Sequence, residues 1–156
     1  MIGVIENQAP TKALEFNLPV EQGNVQLEGD VCYLSLVERH RGTGAVVNGF
    51  VSGFGYTESM AIASSVAHDS HHMIVVGTNQ EMMASASNRL GEVGGGVSLW
   101  KDGSEVALVE LPIAGLMSDS NASEVADKAQ AIVSAMIDCG CTLNNAYMQH
   151  LSLIHI

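Results

Sequence analysis

Four short apolar runs, each followed by a turn-forming stretch, crowd residues 31–77 and most constrain what this chain can become. They are VCYLSLVE (31–38), AVVNGFV (45–51), MAIASSVA (60–67) and MIVVG (73–77). GTG (42–44) and GFGY (53–56) are turns between them. Runs of this length, rich in β-formers and apolar on both faces, suit strands buried within a sheet. Residues 1–8 are expected to form a further short strand. Residues 9–30, broken by Pro10, Pro19, Gly23 and Gly29, are a connector.

Helical spacing takes over after Gly77. Thr78-Asn79-Gln80-Glu81 has the form of a capping box, with the Thr hydroxyl as cap. Met83, Ala86, Leu90 and Val93 follow at spacings of three and four, one stripe facing a sheet. Gly94-Gly95-Gly96 is expected to end this helix, because glycine accepts the left-handed conformation of a C-terminal cap. VSLW (97–100) and EVALVELP (105–112), joined through Asp102-Gly103, predict a β-hairpin. A second helix is expected from about residues 120–123. Its apolar face is Val125, Ala129, Ile132, Val133, Met136 and Ile137, and Gly140 closes it. The order predicts one domain over 1–156 of the α+β (mixed α/β) class: a largely antiparallel or mixed sheet with two amphipathic helices packed on it. LSLIHI (151–156) stops in mid-run and is read as truncated or artefactual.

Composition narrows the function classes. Seventeen Asp+Glu stand against six Lys+Arg, a formal net charge of −11. Nucleic-acid binding and anionic membrane surfaces both need basic clusters, and none is present. No apolar run approaches the length of a membrane helix, and the N-terminus lacks the basic and apolar regions of a signal peptide, so a cytoplasmic protein is expected. Cys32, Cys139 and Cys141 are an odd count, which argues for free thiols. Hydrophobic residues make up 47% and charged residues only 15%, so part of the surface is expected to be covered by something outside the chain.

The chemistry-bearing stretch is SSVAHDSHH (64–72), just before the MIVVG strand. His68, Asp69 and His71 have the residue types of a metal site, but there is no H-E-x-x-H. In an extended segment His68, Ser70 and His72 share one side while Asp69 and His71 share the other, so one ion cannot collect them without a bend. No metal site is therefore expected within the chain. A serine triad is disfavoured because G-x-S-x-G is absent, and no phosphate-binding glycine loop is complete. Two alternatives remain. His68 and Asp69 bind a polar heterocycle or move a proton near neutral pH, or they only cap strand ends.

VERHRGTG (37–44), GFVSGFG (49–55), IASSVAHDSHHMIVVGTN (62–79), NRLGEVGGG (88–96) and LPIAGLMSD (111–119) resemble, in this order, the C-terminal domain of bacterial adenine deaminase. The resemblance runs from the first strand to Leu143. One departure is His72, where the family usually has asparagine after A-H-D-S-H. The resemblance implies an accessory part of a hydrolase of adenine catabolism and salvage, which converts adenine and water to hypoxanthine and ammonia. In that amidohydrolase family an upstream barrel domain holds manganese or iron. The barrel's ligands have no counterpart here, so the isolated chain is expected to be inactive. His68, Asp69 and His71 are then the candidate active-site lid, with Ser70 and His72 as candidate substrate contacts. The implied partners are the barrel, adenine and further copies of the subunit. A free-standing nucleobase-binding or oligomerisation domain is the alternative.

Overall fold

The computed structural model describes residues 1–153. Its elements run β1 (Ile2–Gly3), β2 (Lys12–Ala13), β3 (Val20–Glu21), β4 (Asn24–Val25), β5 (Cys32–Val37), β6 (Val46–Ser52), β7 (Met60–Ser64), β8 (Met73–Gly77), α1 (Gln80–Val93), β9 (Gly96–Lys101), β10 (Ser104–Glu110), α2 (Ala122–Asp138) and α3 (Ala146–Leu151). Eight strands form one sheet in the order β10-β9-β7-β8-β5-β6-β1-β2, and β3 and β4 form a separate hairpin. Only β1 with β6 pairs in parallel among the described strands. The α+β architecture agrees with the sequence. Residues 154–156, half of the LSLIHI run, lie outside the described residues. No described helix is long and apolar enough to cross a membrane.

The two faces of the sheet are packed differently, and side-chain alternation decides which residue meets which layer. One face carries Leu34, Val76, Ile62 and Leu99 in register, under Ile132 and Met136 of α2. Ile62, Ile74, Leu99 and Met136 are fully buried; each such side chain contributes about 1.5–3 kcal/mol. The other face carries Ala61, Ala63, Val75 and Gly77, with Met82, Met83, Ala86 and Leu90 of α1 against it. A Cβ at Gly77 would lie 2.7 Å from Met83 Cγ and 2.9 Å from Ala61 Cβ. Small residues on the strands are what let α1 sit this close.

Several sequence expectations need correction. The strand expected over 1–8 is only Ile2–Gly3, because the chain turns at Asn7, whose φ is 59°. The strand expected to reach residue 67 stops at Ser64. There the Ser64 hydroxyl donates to Val66 O and accepts from Val66 N, a local turn that competes with the ladder. Asn79, not Thr78, caps α1, accepting from Met82 N at 3.0 Å. Thr78 Oγ1 instead joins Glu58 O and Met60 N. Ile137, placed on the buried face of α2, is 57% exposed. A third helix, α3, follows α2; six residues are too few for a periodic signal. The Asp102-Gly103 hairpin turn is as expected, with positive φ at both residues.

Candidate functional site

The 64–72 stretch ends up where β7 finishes, β8 begins and β5 runs out into Glu38 and Arg39. It is not extended. His71 N donates to Ala67 O at 2.7 Å, closing a turn over 68–70, so the two-sided alternation expected of a strand does not apply. His71 takes a left-handed φ of 49° and its Nδ1 accepts from Ala67 N at 3.4 Å. Asp69 is exposed at the tip, while His68, Ser70, His71 and His72 are half-buried. His68 meets Leu151 O and Ser152 Oγ, both in the 151–156 run. Ser70 Oγ accepts from His72 N at 3.4 Å.

Residues distant in sequence complete the corner. His40 Nε2 donates to Ser70 O at 2.8 Å, and its ring lies 4.8 Å from that of His72, tilted by 48°. Arg39 sits beneath. Its Nε donates to His71 O at 2.6 Å, Nη2 to Ser65 O at 3.3 Å, and both Nη atoms to Ala114 O at 3.1 Å. The buried Ser65 hydroxyl donates to Gly115 O and accepts from Gly96 N, each at 2.7 Å. These bonds bring the 111–117 loop beside the histidines. Ile113 and Met117 bridge one another through backbone bonds. Ile113, Leu116 and Met117 are 45%, 36% and 58% exposed, an apolar ridge on the loop that Arg39 ties to the histidine-bearing turn.

Glu38 shapes the loop that carries Arg39 and His40. Its carboxylate accepts from the backbone N–H groups of His40, Arg41 and Thr43 and from the Thr43 hydroxyl. The Thr43 N–H above all, with the other donors, holds its pKa down at about 2. Arg39, His40, Ser65 and Gly115 were not singled out by spacing. The only signal was that they stand inside VERHRGTG, IASSVAHDSHH and LPIAGLMSD, and nothing in a linear text says that these three stretches touch.

The family model for the adenine deaminase C-terminal domain matches residues 8–156. The chain belongs to that family. An adenine deaminase of Roseobacter denitrificans is 71% identical over 150 residues, covering 96% of this chain and 25% of the relative. One of Ruegeria pomeroyi is 70% identical over 153 residues, with the same coverage of both. A more distant one, of Moorella thermoacetica, is 44% identical over 147 residues, 93% of this chain and 24% of the relative. The chain thus spans about a quarter of the length of these curated relatives.

Within this adenine deaminase C-terminal domain, the donor set of the described residues does not fit a metal. No group of three or more His, Cys, Asp or Glu side chains among the described residues is placed to hold one. His71 Nδ1 and His40 Nε2 are already engaged by the backbone. The three cysteines are free and buried, and burial pushes the Cys32 thiol up to about 12 and that of Cys139 to about 11, away from thiolate chemistry. A separate apolar groove of about 570 Å³ lies on the α1 side, lined by Tyr33, Val37, Val46, Phe50, Val75 and Met83 among others; none of the corner residues lines it.

Proposed function

We propose that this domain is the accessory C-terminal part of an adenine deaminase, and that its 68–72 corner with the 113–117 ridge closes the purine site of an upstream catalytic domain. The observation that carries the reading is that Arg39 ties a turn bearing half-buried imidazoles to a loop bearing an exposed apolar ridge. Imidazole edges and the Asp69 carboxylate offer the donors and acceptors a purine edge needs, and the ridge offers apolar area that excludes water. Pockets completed by a second domain need only a few placed polar groups of this kind. Ser70 and His72 are the substrate contacts in this reading. Manganese or iron is assigned to the upstream part in this reading, and the described residues here gather no donor set for it. The setting proposed is cytoplasmic.

The test is His68→Ala and Asp69→Ala in the full-length enzyme carrying this domain. Lower kcat/KM for adenine with normal metal content is expected; unchanged kinetics would leave the corner a purely structural role. The isolated, metal-loaded chain is expected to release no ammonia from adenine, and metal-dependent release would overturn the division of labour.

A second reading, an oligomerising domain, is favoured by β6. Only Val51 and Ser52 of this strand pair with β1, and Val46 and Val47 are 49% and 69% exposed. An uncharged strand edge of this kind is normally covered. Sedimentation of Val47→Glu against the unaltered chain decides it: a loss of assembly supports this reading, and an unchanged monomer removes it.

A further inference from the structure

Arg39 is held differently from the three ion-paired cations. Arg89 pairs with Glu92 and Glu105, Lys101 with Glu58, and Lys128 with Glu110 and Glu124. Among the described residues, no carboxylate lies within ion-pair reach of Arg39. Its guanidinium is held by three backbone carbonyls instead, from His71, Ser65 and Ala114. A planar fork with fixed donor directions can tie two separate loops to its own, which a lysine ammonium on a flexible stem does far less well.

The surroundings are built around that fork. Gly115 has φ +72°, and a Cβ there would lie 2.8 Å from Arg39 Nη1 and 3.1 Å from Ser65 Oγ. A Cβ on Gly95 would lie 2.4 Å from Gly115 Cα. Ala114 takes a left-handed φ of 57°, which turns its carbonyl onto both Nη atoms. Two of the three glycines after α1 therefore do more than end the helix: Gly95 admits the 111–117 loop, and Gly96 passes against Val109 O.

We propose that Arg39 is a positioning residue, locking the 68–72 corner to the 113–117 ridge so that both meet the neighbouring domain as one surface. This rests on the lid reading above. Arg39 itself need not touch substrate; it sets the distance between the polar and apolar halves of the lid.

The experiment is Arg39→Met and Arg39→Lys in the full-length enzyme, read by hydrogen exchange and by kinetics. Segments 65–72 and 111–117 are expected to exchange faster together, by about tenfold or more, while β8 and β9 keep their protection. KM for adenine is expected to rise about tenfold, with kcat and metal content within about twofold, as a lost binding surface requires. Arg39→Lys, which keeps the charge and the stem, is expected to follow Arg39→Met. It also serves where Arg39→Met fails to fold. Full rescue by lysine, or loosening of one segment without the other, overturns the proposal. Coupled loosening with unchanged KM and kcat upholds the lock and sinks the lid.

Discussion

The corner at residues 68–72 and the core beside His150 are two ways of housing histidine in one small domain. In the corner, the His40 and His71 rings each bond a loop backbone group, Arg39 Nε donates to His71 O, and the rings stay half-buried or exposed. His150 is fully buried on α3, its ring 6.5 Å from Phe54, and neither nitrogen has a hydrogen-bond partner of good geometry among the described residues. Burial pushes its pKa down to about 4, so it is neutral in the folded chain at pH 7. Histidine content alone therefore does not mark a site. One set is held at a surface where it can meet another molecule; the other fills space.

The largest effect is expected in the core. Met136→Ala, beneath the sheet, is expected to destabilise the chain by about 2–5 kcal/mol in urea unfolding, since it leaves a cavity where the side chain is fully buried. A value under about 1 kcal/mol would mean that this layer is loosely packed.

Acid acts next. The unfolded chain protonates His150 near its ordinary value of 6.5, and the folded chain only near 4, so lowering the pH favours unfolding. The neutral imidazole thus gives stability that is fully present above pH 6.5. About 3 kcal/mol of it is lost as pH falls to about 4. His150→Leu should flatten this part of the stability curve. An unaltered pH profile for that variant would show that the ring is hydrated.

At the corner the effects on folding are smaller. Gly115→Ala forces a Cβ into a left-handed backbone beside Arg39, and is expected to cost about 1–3 kcal/mol. In the full-length enzyme it should raise KM more than a core variant of equal instability does. Equal effects on KM would erase the distinction between the two regions.

The smallest change is expected for Glu38→Gln. Glu38 has a folded pKa of about 2 against an ordinary 4.5, so its contribution is present above pH 4.5 and is lost as pH falls to about 2. The carboxylate is open to solvent, which screens it. A fall in Tm below that of Gly115→Ala is therefore expected at pH 7, vanishing at pH 2. Persistence of the difference at pH 2 would show that shape, not charge, holds the loop.

The amino-acid order alone determined the strands of residues 31–77, the hairpin at Asp102-Gly103, the stripe of α1 and the glycine ends of both long helices. Each follows from period, turn chemistry or φ preference over a few residues, so each is written locally. It also drew attention to residues 68–72 as a candidate site, because His, Asp and Ser rarely precede a buried strand in such density. Only the tertiary structure decided that Arg39, Ser65 and Ala114 converge there, and that Gly95 and Gly115 leave room for them. These residues lie 26–75 positions from one another along the hydrogen bonds that join them. Contacts at that separation depend on how the strands stack in the sheet, which no local preference encodes.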